Sequence, residues 1–148
     1  MENSYKKLAL AISINAVIMF FMTYVTLRSL EHFQANINRA YMALIMAAPM
    51  IIVMLLVNRA MFMNQQRNTF LIIAAVIVII LLFVGMRTQT PVGDVQFLRS
   101  MIPHHSSAIL MCEEASLTDP EIIDLCDQII QSQQEEIQQM QSILERYR

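Results

Sequence analysis

Histidine and methionine side chains that can bind a metal ion recur at helical spacing in the last third of this 148-residue chain. Met101 comes first, followed by the adjacent His104 and His105 and then by Met111. Imidazole and thioether groups together suit copper, and methionine favours Cu(I) over harder ions. The alternative is that the methionines fill an apolar core. The two histidines lie on a face with no other polar group to satisfy them, which favours the metal interpretation.

A second predicted helix downstream supplies a carboxylate and another thioether. Glu136 and Met140 lie one turn apart near the centre of its apolar stripe. Two helices joined by a short turn run antiparallel. The residue numbers of two positions that face each other across the pair therefore add up to a nearly constant value. This relation places Met101 level with Glu136, and His105 level with Gln133. The spacing therefore predicts that a carboxylate, two imidazoles and two or three thioethers converge at one level of the helix pair.

The residue types argue against other chemistries. Zinc sites more usually recruit cysteines and no methionine. A ferritin-type di-iron centre needs Glu-x-x-His pairs, and this sequence contains none. The sequence also has no nucleophile–base pair and no phosphate-binding loop, so we predict no catalytic residue.

Cys112 and Cys126 are the two cysteines of the chain, and the same relation places them at one level. An oxidising compartment would favour a disulfide between them. Packed helices seldom bring two Cβ atoms close enough for such a bridge, which favours free thiols or further soft ligands. The sequence leaves both possibilities open, with a slight preference for free thiols.

Three apolar runs precede this region and predict a membrane domain over residues 1–89. They extend over about residues 8–27, 40–57 and 70–86, and each is flanked by lysine or arginine. Runs of this length match the hydrocarbon core of a bilayer, which is roughly 30 Å thick. The third run is a little short for a tilted span. We therefore expect three transmembrane helices and a lipid bilayer as the partner of this domain.

Composition and charge agree with a membrane protein. Hydrophobic residues make up 56% of the chain and charged residues 15%, against roughly 25% charged in an ordinary soluble domain. The sequence has no basic patch, so we expect no binding to nucleic acid. Three spans place the termini on opposite sides of the membrane, and Lys6 and Lys7 favour a cytoplasmic N-terminus.

Local signals predict two helices over residues 90–148. Asp94 follows a Pro-Gly break and is a suitable N-cap for the first helix. Pro103 should kink this helix, because it has no N–H to donate to the Arg99 carbonyl. The second helix starts either with Asp119 as N-cap and proline at the first position, or with a capping box from Thr118. The fold class is therefore all-α, with three transmembrane helices followed by an antiparallel helical hairpin.

The hairpin sequence resembles a known family. The motif Met-Ile-Pro-His-His over residues 101–105, with Phe97 and Met111 around it and Glu136 and Met140 downstream, is similar to the domain-of-unknown-function 305 family. That family has a ferritin-like helical fold, and some members bind copper in the bacterial periplasm. The resemblance implies a copper ion held by side chains from a set of seven, namely Asp94, Met101, His104, His105, Met111, Glu136 and Met140.

The resemblance also carries expectations about assembly and function. This chain has one His-His hairpin where fuller members have two, which implies a homodimer or higher homo-oligomer that completes a four-helix bundle. We expect a protein of the bacterial inner membrane with a periplasmic hairpin, which binds copper for metal tolerance, storage or delivery in the envelope. One alternative is a structural membrane subunit whose hairpin is a dimerisation module. The other, less favoured, is a copper-dependent oxidase.

Overall fold

The computed structural model describes residues 2–147, and this part of the chain is all-α. A single 3-10 turn, Leu30–His32, lies between the first two helices of the described residues. Two compact units are present, one formed by residues up to Thr23 and Asn38–Pro91, the other by Tyr24–Ile37 and the residues from Val92 onwards. The helices are α1 Glu2–Met22, α2 Ile37–Ala47, α3 Pro49–Val57, α4 Gln65–Thr88, α5 Asp94–Glu114 and α6 Pro120–Glu145.

Three helical segments of the first unit are long and apolar enough to cross a membrane. They are Asn3–Met22, Ile37–Val57 and Gln65–Thr88. The second segment is divided into α2 and α3 at Ala48, because the following Pro49 has no N–H to continue the helical hydrogen bonding. The number of apolar helices agrees with the number of apolar runs in the sequence.

The bounds of these helices differ from the predicted runs. The first run was predicted to reach residue 27, but α1 ends at Met22. The reason is tertiary, because the Tyr24 hydroxyl donates to the Gln34 carbonyl at 2.8 Å and its ring packs 4.5 Å from the Phe33 ring. The third run is longer than predicted, since the Asn64 side chain accepts from the Arg67 N–H and starts α4 before the apolar residues.

The first unit has a small core at one end of its helices. Leu8, Leu55 and Phe62 are buried together there. The Tyr5 hydroxyl donates to the Asn68 side-chain oxygen at 2.8 Å, and the Tyr5 ring packs against Phe62 with 5.3 Å between centroids. These contacts join α1, the connection after α3 and the first turns of α4.

In the second unit, α5 and α6 pack against each other along their lengths. The Tyr147 hydroxyl contacts Asp94 at 3.5 Å, at the start of α5 and just beyond the end of α6. A disulfide joins Cys112, near the end of α5, to Cys126 in the second turn of α6. The start of one helix therefore lies beside the end of the other, and a buried cluster fills the space between them, formed by Leu98, Ile102, Ile109, Ile137, Met140 and Leu144.

The helix caps agree with the sequence in one helix and differ in the other. The side chain of Asp119 accepts from the Glu121 N–H at 2.9 Å and proline follows at the first helical position, as the first alternative predicted. Asp94 is wrong as an N-cap, because Gly93 holds that position and Asp94 is the first helical residue. An acidic residue in the first turn still interacts favourably with the helix dipole.

Candidate metal site

His105 is the candidate ligand whose ring is held in place at both nitrogens. The residue is 7% exposed on the face of α5 that meets α6. Its Nδ1 lies 2.9 Å from the Met101 carbonyl oxygen, one turn earlier in the same helix. Its Nε2 lies 2.6 Å from a carboxylate oxygen of Glu136 on α6.

The partner of Nδ1 decides what Nε2 can do. A backbone carbonyl only accepts hydrogen bonds, so Nδ1 carries a proton and donates it to Met101. In a neutral imidazole the other nitrogen, Nε2, then has the lone pair. Nε2 of His105 and the Glu136 carboxylate are therefore two acceptors 2.6 Å apart. Two acceptors this close require a cation between them, which is a proton when no metal ion is bound.

Two methionine side chains lie near this pair. Met140 is 9% exposed within the buried cluster between the helices, and Met101 packs against the same cluster. Met101 also precedes His105 by one helical turn, on the same face. Met140 follows Glu136 by one turn of α6, so each methionine lies on the same helix face as one member of the pair, and the Glu136 side chain is 50% exposed.

The other three predicted ligands lie elsewhere. His104 is exposed, although its ring centroid is 5.8 Å from that of His105. Met111 is 68% exposed, nearly two turns further along α5. Asp94 contacts Tyr147 at the far end of the helix pair, about 16 Å along the α5 axis from His105. Asp94 and Met111 are therefore not assembled with the pair formed by His105 and Glu136.

The donor set contains few nitrogen and oxygen ligands. Among residues 2–147, no group of three or more His, Cys, Asp and Glu side chains lies close enough to hold a metal ion. Thioether sulfurs or water would therefore have to complete the coordination of a metal at His105 and Glu136. Thioethers are ligands that copper accepts and that magnesium and calcium do not favour.

Helix α5 continues through Pro103, and a residue from the first connection replaces the missing donor. The side-chain amide of Asn36 donates to the Arg99 carbonyl at 3.1 Å, which is the carbonyl that Pro103 leaves without its helical partner. The same amide donates to the Gln34 carbonyl at 2.8 Å. Asn36 is 6% exposed, so water has little access to this position. The hydrogen bond from Asn36 therefore satisfies the Arg99 carbonyl in place of the N–H that proline lacks.

His32 and Arg28 hold the rest of this connection on α5. Nδ1 of His32 lies 2.9 Å from the hydroxyl of Ser106, which also accepts from the Arg28 backbone N–H at 3.0 Å. The Arg28 guanidinium forms a two-point ion pair with Glu113, with distances of 2.8 and 2.6 Å. Burial lowers the pKa of His32, the positive charge of Arg28 lowers it further, and Glu31 opposes both.

Sequence reasoning missed most of these contacts. It assigned no role to His32, whose ring is half-buried against Ser106. It identified no role for Asn36. The signal that was available is Pro103, because an orphaned carbonyl inside a buried helix requires a donor from elsewhere.

The cysteines form a disulfide, against the slight preference for free thiols. Their Cα atoms are 5.3 Å apart, within the range that a disulfide requires. The bridge lies next to the short connection between α5 and α6, where the two helices are closest in sequence. It is therefore a covalent link between the helices that carry His105 and Glu136.

Comparisons with known proteins match the region that contains α5 and most of α6. The family model described as Domain of unknown function (DUF305) matches residues 85–144, which confirms the resemblance drawn from the motif. An uncharacterized protein of Acanthamoeba polyphaga mimivirus is 48% identical over 62 residues, which are 40% of this chain and 41% of the viral protein. The chain thus spans about two fifths of that relative. No solved structure matches the chain significantly.

Proposed function

We propose that this chain, whose residues 85–144 match the Domain of unknown function (DUF305) family model, is a membrane-anchored copper-binding protein. Its role is metal tolerance, storage or delivery in the envelope of a bacterial cell. The three apolar helices anchor it, and the pair α5 and α6 carries the metal.

The observation that carries the proposal is the pair formed by His105 and Glu136. Histidines that bind metals usually donate their other N–H to a carbonyl or carboxylate, which fixes the ring and its tautomer. The Met101 carbonyl has this role for Nδ1 of His105. Nε2 and the carboxylate, 2.6 Å apart, then form a site that holds a cation, either a proton or a metal ion.

The surrounding donors fit copper. Met101 and Met140 are thioethers one helical turn from His105 and Glu136 respectively, and the exposed His104 is adjacent to His105 in sequence. A bound copper ion would supply a soft cationic centre that cycles between two oxidation states. The chain's own contribution is to hold the imidazole tautomer through the Met101 carbonyl, and the half-exposed Glu136 leaves the site open to solvent on the α6 side.

Charge and the disulfide support the proposed location. Of the residues in the second unit, which lie at 24–37 and 92–148, eleven are acidic and four are lysine or arginine, so the unit attracts cations. Disulfides persist in oxidising compartments such as the periplasm, which supports a periplasmic position for Cys112 and Cys126. A three-span chain has its first connection and its C-terminal part on one side, and the contacts of Arg28 and His32 with α5 agree.

The experiment is Cu(I) binding by the purified full-length protein in detergent micelles, in competition with a chromophoric Cu(I) chelator. We expect His105→Ala to weaken binding by about tenfold or more, since it removes a ligand whose ring the Met101 carbonyl holds in place. Binding should also weaken as the pH falls, because protons compete with the metal for a neutral imidazole.

Matched variants distinguish the ligands near His105 and Glu136 from motif residues that lie remote from this pair. Met101→Leu should weaken Cu(I) binding, whereas Met111→Leu should leave it unchanged, because Met111 is exposed and remote from Glu136. His32→Ala is the histidine control, since this ring bonds to Ser106 on another face of α5. Binding that is unchanged in His105→Ala, or absent in the unmodified protein, would contradict the proposal.

A second candidate, a dimerisation module, has one observation in its favour. Phe97, His104 and Met111 are exposed and recur every seven residues along α5, the spacing of a helix–helix seam. A second copy packed there would make the antiparallel hairpin formed by α5 and α6 half of a ferritin-like four-helix bundle. If this is the main role, Phe97→Glu dissociates the oligomer, while removal of copper changes neither the oligomer nor the thermal stability.

A further inference from the structure

The first unit contains a cavity of about 280 Å³ where α3 ends and α4 begins. Its apolar side includes Leu55, which is 2% exposed, and Ile72. Its polar side presents a guanidinium, a side-chain amide and a hydroxyl, which belong to Arg59, Gln65 and Thr69. Helix α4 and the segment Ile37–Val57, which ends with α3, are both long and apolar enough to cross a membrane, so the cavity lies at an end of both.

Arg59 has no protein partner at this cavity. Its side chain is exposed, and no hydrogen bond or ion pair joins it to another of residues 2–147. The neighbouring Asn68, by contrast, is held in place, since it accepts from Tyr5 at 2.8 Å and donates to the Phe62 carbonyl at 2.7 Å. The polar wall is therefore rigid around Asn68 and offers an unsatisfied cation beside it.

The charge of the first unit leaves Arg59 without an acidic neighbour in sequence. Residues 1–23 and 38–91 contain six lysine and arginine residues and one acidic residue, Glu2. Lys6, Lys7 and Arg67 lie in α1 and α4, near the small core formed by Leu8, Leu55 and Phe62. Apart from Glu2, the unit therefore has no acidic residue that could pair with Arg59, which favours an anion from outside the unit.

We propose that this cavity binds the phosphate headgroup of an anionic phospholipid. The planar guanidinium of Arg59 matches a phosphate with two parallel hydrogen bonds, and Gln65 and Thr69 supply further donors. The acyl chains follow the apolar side, along Leu56 and Ile72. The recognised chemistry is a phosphate monoanion joined to an apolar tail, and cavities of this kind between membrane helices hold lipid headgroups.

The test is native mass spectrometry of the full-length protein, washed free of lipid in detergent and then incubated with a defined lipid. Phosphatidylglycerol should remain bound where phosphatidylcholine at the same concentration does not. Arg59→Gln should reduce the retained phosphatidylglycerol by about tenfold, the loss expected for hydrogen bonds between charged groups. Arg87→Gln is the matched control, since this arginine lies in the last turn of the same helix α4.

Two further variants and a soluble competitor make the result decisive. Arg59→Lys, which keeps the charge but loses the two-point geometry, should retain an intermediate amount of lipid. Thr69→Trp, which fills the cavity, should reduce retention as Arg59→Gln does. Equal retention of the two lipids, or equal losses in Arg59→Gln and Arg87→Gln, would overturn the proposal. Displacement of the lipid by millimolar inorganic phosphate would show a site for free phosphate and overturn it as well.

Discussion

Replacing Asn36 with aspartate tests whether the first connection completes helix α5 at Pro103. The change keeps the size of the side chain and removes the amide that donates to the carbonyls of Arg99 and Gln34. A carboxylate would instead face the Arg99 carbonyl, oxygen against oxygen, at a position that is 6% exposed. A buried carbonyl without a donor costs about 1–3 kcal/mol, so we take about 2 kcal/mol for the opening of this contact.

Amide hydrogen exchange measures that opening directly. If the free energy of local opening is lower by about 2 kcal/mol, amide exchange through that opening becomes about 30-fold faster. The increase should be confined to peptides that cover residues 24–37 and the part of α5 around Pro103. The protein is the full-length chain in detergent micelles, compared with the unmodified protein at one pH and temperature.

Gln139→Glu provides the control for the added charge. It is also an amide-to-carboxylate change within the second unit, at an exposed position of α6. It should leave exchange around Pro103 unchanged. If Asn36→Asp also leaves this exchange within about threefold of the unmodified protein, the amide does not stabilise the Arg99 carbonyl and the reasoning fails.

Two further predictions concern the second unit. Cys112→Ser should lower the stability of the α5 and α6 pair by about 3 kcal/mol, the loss expected when a loop of 14 residues is no longer closed. Urea unfolding with and without a dithiol reductant checks this, since the reductant should destabilise the unmodified protein and not the variant. Stability should also fall as the pH drops below about 6.5, because burial lowers the pKa of His32 and the folded state resists a proton that the unfolded chain binds. Thermal unfolding between pH 7.5 and 5.5 should show a smaller fall for His32→Gln, and an identical fall would refute the assignment to this ring.

Hydropathy and periodicity determined much of the fold, because they depend on neighbours in sequence. A run of about twenty apolar residues is stable only where its backbone bonds are internal and its surface is apolar, so three such runs predict three helices. The start of α6 was also local, since Asp119 and Pro120 satisfy the first turn by themselves. The family resemblance was readable for the same reason, as the core of its motif, residues 97–111, lies within a few turns of α5.

Only the tertiary structure decided the partner of His105. Equal levels predicted Gln133, but helical side chains lean toward the N-terminus of their own helix. Since the start of α5 lies beside the end of α6, His105 and Glu136 lean toward each other and meet at 2.6 Å. The heights of the Cα atoms along the two helices were therefore insufficient to predict the partner of His105. The direction of the side chains decided that the partner is Glu136.

The tertiary structure also decided the attachment of the first connection. Asn36, Arg28 and His32 bond to residues of α5 that are more than sixty positions away in sequence. No local pattern encodes such pairs, because each depends on how the backbone of one segment exposes a donor to another. What the sequence determined by itself is the set of helices and the candidate ligands. Which ligands meet depends on side-chain direction and long-range hydrogen bonds, and these exist only once the helices have packed.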